Sequence, residues 1–385
     1  MQKRLVMSTS KRSASVVLGV FVFLLIGVIS SFAEEPQGNR VKIGVVIPLT
    51  GPLAASAQSF RAASLMALDD FGKGAKLRYE LVFEDDQLQS KNAATGAKKL
   101  ITRDKVAAIV STWSYGGSVV APIAERSQVI HIGIAWAPEI AAGAYNFLNL
   151  APPSAFLPLI LEVFKRRGFK RISTVVPMEA GSVYSAQELE RLAPSAGLSV
   201  VSKLEVGYSE TDFRASISKE LSKRPDVIYV NLIGGQLDTF ISQLRVLNST
   251  APVVIQTGLS TVSSLESYEG YWYAAETYFP ELELEERLVR SVNHQHTLYA
   301  ANFYDAIGIL IQAFERSSDP GKGKPTNFDV LNRTNSLKTT KSIFPGASFN
   351  EDGVLSCSPR LFMIKGGVSV PSTIDEIVAS PWGLK

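Results

Sequence analysis

The 385-residue chain reads as an α/β protein of two doubly wound parallel-sheet lobes, and three observations predict it. Apolar runs of strand length alternate with helical segments through most of the sequence, joined by short connections. The runs are almost continuously apolar, as in parallel strands covered on both faces. The alternation then restarts after the proline-punctuated break Ala151-Pro152-Pro153-Ser154, so one element pattern occurs twice without a fixed-period repeat.

The amino terminus is set apart from this pattern. Lys3, Arg4, Lys11 and Arg12 form a basic region free of acids, followed by the apolar run Val16–Ile29. A run of about 14 residues suits a signal-peptide core and is short for a membrane span. Ser31 and Ala33 put small residues at −3 and −1 of a cleavage site, and no cysteine lies near it to carry a lipid. Residues 1–33 are therefore expected to be a signal peptide cleaved near Ala33, which places the protein in the periplasm; an uncleaved anchor is the competing reading. Taking those four bases from 39 leaves 35 Lys and Arg against 36 Asp and Glu, so nothing in the charge suggests nucleic acid as a partner. Cys357 is the single cysteine, so no intramolecular disulfide can form. An exported chain of this kind rests on its core, and roughly 350 residues suffice for one divided over two domains.

The elements follow in order. Val41–Ile47 is a buried strand ended by Pro48 and a turn at Gly51-Pro52. Ser56–Phe71 carries Phe60, Ala63, Ala67 and Phe71 at helical spacing. Leu77–Phe83 is a second strand closed by Glu84-Asp85-Asp86, Lys91–Thr102 a helix, and Val106–Val110 a third strand. A loop at Ser111–Ser118, a helical segment, the apolar run Val129–Ile134 and a second loop at Ala135–Ile140 come next. Both loops leave the carboxyl ends of consecutive strands, where open α/β sheets bind ligands. They contain Trp113, Ser114, Tyr115 and Trp136 but no His, Cys or Lys, which suits holding a molecule more than transforming one. The two tryptophans lie just past strand ends, where core positions have stopped, so they are expected in a cleft; core packing is the alternative. The hydroxyls before the helix also suit an N-cap, and a helix amino terminus is an anion site.

The second unit repeats the rhythm: helix Phe156–Arg167, strand Arg171–Val176, helix Ser185–Ala193, strand Leu198–Val206, helix Phe213–Leu221, strand Val227–Leu232, helix Leu237–Leu247 and strand Pro252–Gln256. From Tyr271 the chain looks like an extended crossing, and His296–Arg316 is one long amphipathic helix. Asp319–Lys324 reads as a surface turn, Asn327–Thr334 as a short helix, Phe344–Val354 as a turn-rich segment, and the region from Leu361 as a strand with a loosely packed end.

Signals of catalysis are weak. There is no G-x-S-x-G elbow, and Cys357 has no histidine near it in sequence. His131 lies inside an apolar strand and reads as a satisfied core histidine. His294 and His296 lack further ligands at metal spacing, and Gly321–Thr326 echoes a phosphate loop with no strand leading into it. Glu84-Asp85-Asp86 reads as a polar strand end that fixes neighbouring loops. The sequons at Asn248 and Asn332 matter only in a glycosylating host.

Five segments carry a resemblance to a known family: KIGVVIPLTGP, LVFEDDQLQSKNAATGAKKLI, the Val110–Ile140 stretch with its APIAE and APEI, SETDFRASISKELSKRPDVIYV, and ANFYDAIGILIQAF. In this order and spacing, from about Val41 to Lys365, the chain resembles the type I periplasmic binding proteins. Within them it is similar to the leucine/isoleucine/valine-binding branch of ABC-transporter solute receptors. The resemblance implies two lobes joined by three crossings, a Venus-flytrap that closes on a solute. It divides the chain into 38–150 with 281–343 as the N-terminal lobe and 151–280 with 344–385 as the C-terminal lobe. In amino-acid-binding relatives two strand-end loops hold the ligand carboxylate and amine; these match Trp113-Ser114-Tyr115 and Ala135-Trp136-Ala137. Ser56 stands where relatives often place an aromatic, and Tyr184, Ile233 in the Asn231–Gly234 turn, and Thr257 in the Gln256–Leu259 turn are expected to face the cleft from the second lobe.

One departure stands out. Relatives usually present an acid after the strand matching Pro252–Gln256, to pair with the ammonium, and this chain reads Gln256-Thr257-Gly258-Leu259-Ser260 there. Asp238 and Glu179 are the acids able to substitute, though neither occupies the expected position. A plain branched-chain amino acid is thus disfavoured, and an amino-acid-like, aromatic or carboxylate solute in an aromatic-walled cleft is expected. The expected function is solute binding for an ABC uptake transporter, with a small molecule and the permease membrane subunits as partners, no cofactor, no metal, no nucleic acid and a monomeric state. The alternatives are a clamshell sensor controlling a membrane kinase or regulator, and an exported α/β enzyme.

Overall fold

The computed structural model describes residues 40–247, 251–262, 264–278, 282–292, 298–317 and 341–382. The expected signal peptide, His294 and His296, the 321–326 loop, the 327–334 helix and both sequons lie outside the described residues.

The first sheet has five strands, all parallel: β1 (Arg40–Ile47), β2 (Arg78–Asp85), β3 (Ala108–Thr112), β4 (Ile130–Ile134) and β5 (Asn146–Leu148), in the order β2-β1-β3-β4-β5. The continuous apolar runs occupy its centre: every residue of β3 and β4 is buried, whereas the edge strand β2 is half-buried along its length. Helices α1 (Ala54–Gly72), α2 (Ser90–Lys99) and α3 (Trp113–Ser127) cover it. Helix α1 turns Phe60, Ala63 and Ala67 inward at helical spacing.

The second sheet repeats the plan with β6 (Arg171–Pro177), β7 (Ser199–Val206), β8 (Val227–Val230) and β9 (Val253–Ile255), parallel and ordered β7-β6-β8-β9. Its helices are α4 (Pro153–Arg166), α5 (Ala180–Leu192), α6 (Arg214–Ser222) and α7 (Gly234–Val246). The proline break before it is a helix start, with Pro153 at the first helical position, where a missing N–H matters least. The α/β fold of two parallel-sheet lobes is thus present, and the strand order reverses beside β1 in one sheet and beside β6 in the other.

Three readings of the sequence are corrected. Ser111–Ser118 is not a loop: β3 runs to Thr112 and α3 begins at Trp113, whose φ of 50° makes the corner. Helix α5 begins five residues before the expected Ser185, because the Glu179 carboxylate caps it by accepting from the Ser182 N–H at 2.8 Å. The carboxyl end is packed, not loose. Strands β10 (Trp272–Ala275), β13 (Arg360–Lys365) and β14 (Val368–Ser372) form an antiparallel sheet, and α10 (Ile374–Ala379) opens on a Thr373/Glu376 capping box. Trp382 is buried against Phe164, Phe169 and Trp272, with Nε1 donating to the Ile377 carbonyl at 2.7 Å. Between these, β11 (Ser348–Phe349) and β12 (Leu355–Ser356) pair across the Asp352-Gly353 turn.

After β10 the chain returns to the first lobe through α8 (Leu284–Val292) and α9 (Leu298–Ser317), and α9 packs along α1 with Phe303 stacked on Phe60 at 5.0 Å. Two buried acids tie the passages between the sheets. Asp305 on α9 accepts from Asn149 Nδ2 at 2.9 Å and from the Ile343 N–H at 2.7 Å. Glu276, just past β10, accepts from the Ala151 N–H. Residues 149–151, 276 and 343 are thereby joined through two carboxylates. Burial raises the pKa of both, Asp305 to about 6.

Candidate ligand-binding site

The carboxyl edges of the two sheets face one another across a narrow cavity of about 20 Å³. From the first sheet come Trp113 and Ser114 at the end of β3, and Ala135 and Trp136 at the end of β4. Leu150 and Tyr299 of α9 complete that wall. The second sheet contributes Pro177, Glu179, Gly181 and Ser182 after β6, Tyr208 after β7, and Ile233 after β8. Those positions flank the strand-order reversal of each sheet, the place where doubly wound sheets open a crevice.

The first wall is aromatic and dry. Trp113 packs edge-on against Phe60 and Tyr299, each at 5.7 Å, and its Nε1 is buried without a hydrogen-bond partner. A bulky residue held at positive φ is strained by about 1–3 kcal/mol, and such strain persists where surrounding packing imposes it. Trp136 is anchored by Nε1 donating to the Ala151 carbonyl at 2.9 Å and leans on Phe156. Ser114 Oγ accepts from the Ala137 N–H at 3.3 Å, linking the β3 and β4 ends. The N–H groups of the first turn of α3 have no intrahelical acceptors and open at this wall.

The second wall is polar and carries the cavity's charge. Glu179 uses Oε2 to cap α5, while its Oε1 is buried with no hydrogen-bond partner among the described residues. No Lys, Arg or His is among the described residues lining the cavity. The Tyr208 hydroxyl has its pKa raised by burial first, then by Glu179 and Tyr299. Gly181 closes on the opposite lobe: a Cβ there would collide with Ser114 Oγ.

Of the expected site residues, Trp113, Ser114, Ala135, Trp136 and Ile233 line this cavity. Ala137 does not, and acts through its N–H to Ser114. Tyr115 points the other way, its hydroxyl donating to Asp86 at 2.7 Å. Ser56 is buried in the first turn of α1 and outside the lining. Tyr184, on α5 because the helix starts early, lines a separate groove with Pro138 and Pro152. The Thr257 side chain is outside the described residues. The two other acids weighed from the sequence lie in different places. Asp238 is engaged by the Tyr268 hydroxyl at 2.5 Å and lines nothing here, whereas Glu179 faces the cavity. Leu150, Pro177, Ser182, Tyr208 and Tyr299 were not singled out by sequence. Only the strand-end position of Pro177 was a signal, since the others are placed by packing between distant segments.

The polar strand end after β2 fixes loops. Asp85 accepts from the Thr50 hydroxyl at 2.5 Å and from the Gln87 N–H at 3.0 Å; Asp86 accepts from Tyr115 and from the Leu88 N–H. Ser111 Oγ lies 2.7 Å from His131 Nε2, and His131 Nδ1 lies 3.0 Å from Asn146 Oδ1, the order of groups in a hydrolase relay. All three side chains are buried within the sheet and none lines the cavity. Burial lowers the His131 pKa to about 4, so the ring is neutral and structural. No group of three or more His, Cys, Asp or Glu side chains among the described residues could hold a metal, and no described helix is long and apolar enough to cross a membrane.

Residues 40–368 match the model of the periplasmic binding protein family. The Leu/Ile/Val-binding protein BraC3 of Rhizobium johnstonii is 24% identical over 241 residues, 60% of this chain and 65% of that protein, so the match spans just under two thirds of its length. The leucine-, isoleucine-, valine-, threonine-, and alanine-binding protein of Pseudomonas aeruginosa is 22% identical over 349 residues, 85% of this chain and 90% of that one. A solute binding protein of an ABC transporter from Rhodopseudomonas palustris, solved with 3,4-dihydroxy benzoic acid, superposes with a TM-score of 0.75 at 18% identity, covering 86% of this chain and 97% of that one, a likeness of fold. These are solute-binding proteins and not enzymes. With two parallel-sheet lobes around one cavity and a family match over most of its length, the chain belongs to the periplasmic binding protein family.

Proposed function

We propose that the protein is the extracytoplasmic receptor of an ABC uptake transporter and holds a small carboxylate-bearing solute between its lobes. The observation that carries this reading is the cavity itself, walled by the carboxyl edges of both sheets. The solute carboxylate meets the first turn of α3 at Trp113 and Ser114, where each charge-assisted hydrogen bond contributes about 1.5–3 kcal/mol. Its body lies between Trp113, Trp136 and Tyr299. Residues 38–150 with 281–343 move as one lobe and 151–280 with 344–385 as the other, about passages near 149–151, 276 and 343. Solute that binds both walls favours the closed arrangement only by its extra affinity for it. The permease subunits then read the closed pair of outer faces, the protein acting as a monomer in the periplasm after removal of residues 1–33.

The test is calorimetry of the secreted protein with a panel of amino acids, aromatic acids and aliphatic acids, followed by small-angle scattering. A binding solute is expected to raise the melting temperature and to reduce the radius of gyration. Binding without a change of shape would remove lobe closure from the reading, and failure of every small solute to bind would remove the receptor.

A further inference from the structure

The cavity holds one group whose chemistry the cap alone does not explain. Glu179 is 9% exposed, yet only one of its carboxylate oxygens is used by the protein, on the Ser182 N–H. The other, Oε1, is buried and meets no donor among the described residues, in a residue that lines the cavity. A serine or asparagine would cap a helix equally well without burying a charge. A buried carboxylate with an idle oxygen and no cation nearby is an arrangement that proteins avoid unless something supplies the positive charge. Across the cavity, Trp113 presents the opposite deficit, a buried N–H with no acceptor among the described residues.

We infer that Glu179 is the specificity-determining residue of the cleft: its Oε1 takes the ammonium of the solute, so the receptor selects solutes carrying both an ammonium and a carboxylate over simple aromatic or aliphatic acids. The inference rests on the receptor reading and names the solute class within it. The charge comes from the cap of α5, at the end of β6, and not from the Gln256–Ser260 segment, where Gln256 is occupied with the Ala274 carbonyl at 2.6 Å. A benzoate-type acid would bring a second negative charge to a wall with no described base to receive it. Because the same carboxylate caps α5, an ammonium on Oε1 also fixes the orientation of the helix that carries Gly181 toward Ser114.

The experiment is titration calorimetry of the full secreted chain with pairs of probes that differ only by the amine: each standard amino acid against its deaminated acid, and 4-aminomethylbenzoate against 4-methylbenzoate. The expected result is that the tightest-binding aminated probe loses at least about a hundredfold in affinity without its amine. Glu179→Gln, which keeps an oxygen for the Ser182 cap, is expected to erase most of that ratio, and Glu179→Asp to retain part of it. The wild-type pairs need no mutant, so a folding defect in either variant leaves the comparison intact. A deaminated acid or a benzoate that binds wild type as tightly as its aminated partner overturns the inference while leaving the receptor standing, as does an unchanged ratio in folded Glu179→Gln. If no probe of either kind binds, the receptor reading fails and this inference with it.

Discussion

The two walls of the cleft are built from the same kind of position, strand ends of a doubly wound sheet, yet they differ in chemistry. The first wall is neutral: Trp113, Ala135, Trp136 and Tyr299, braced by aromatic packing into the lobe's core. The second is polar: Glu179, Ser182 and Tyr208, with the acid held by a helix amino terminus. The difference teaches a division of labour. Apolar packing sets the shape of one side, and the other presents an acid already fixed as a cap. It also predicts that damage to each wall is read out differently, as lost stability on the first and as lost selectivity on the second.

The largest effect is expected at the first wall. Trp113→Ala removes an indole packed on Phe60 and Tyr299, and is expected to destabilise the protein by about 3–5 kcal/mol in urea denaturation and to weaken every ligand alike. A variant of wild-type stability would show that the tryptophan is held by the cleft and not by the core. Next comes the contact between walls. Gly181→Ala is expected to destabilise the ligand-free protein by about 1–3 kcal/mol, because the added methyl overpacks against Ser114 Oγ. Ligand affinity should also fall at least about tenfold, some 1.4 kcal/mol, because the methyl occupies the contact between the two walls at Ser114 Oγ. Unchanged affinity would mean that the lobes do not draw together at this point.

The pH dependence separates lobe framework from site. Burial raises Asp305 and Asp86 from 3.8 to about 6. The folded protein therefore binds these protons more tightly than the unfolded chain. Their stabilisation is complete below 3.8 and is lost as pH rises through 6, amounting to no more than about 3 kcal/mol for each group. Melting temperature is thus expected to rise between pH 7.5 and 5, and less so in Asp305→Asn. Asp85, lowered by its bonds to Thr50 and Gln87 despite burial, and Asp70, lowered by Arg287 and Tyr304 despite burial, act in the opposite sense and take over below pH 4. A flat profile in wild type would place Asp305 outside the buried network. The smallest effect belongs to Tyr115→Phe, which leaves Asp86 Oδ1 its bond from the Leu88 N–H and is expected to cost about 0.5–1.5 kcal/mol of stability with ligand affinity unchanged. Lost affinity there would return Tyr115 to the cleft.

Much of this was legible in local pattern. Continuous apolar runs announced parallel strands, and tryptophans placed just past two of them announced a wall, because strand ends are marked by where apolar character stops. Tyr115 misled because it shares that address with Trp113 and Ser114, yet the α3 corner at Trp113 begins the helix six residues earlier than the hydroxyls and glycines suggested, sending the tyrosine toward Asp86. Tyr184 misled for a related reason: α5 starts at Ala180, and the early start turns its ring to another groove.

By itself, then, the sequence determined the class of fold, the two-unit plan and the aromatic half of the cleft, because hydrophobic periodicity and strand-end composition are local properties. It also showed that the acid expected near Gln256 is missing. Only the tertiary structure showed which of the two other acids lines the cavity. Asp238 and Glu179 are alike as letters, but Tyr268 engages one, while the other caps α5 at the cavity wall. Which charge is buried and unpaired depends on what packs around it, and that is settled by residues far apart in the chain.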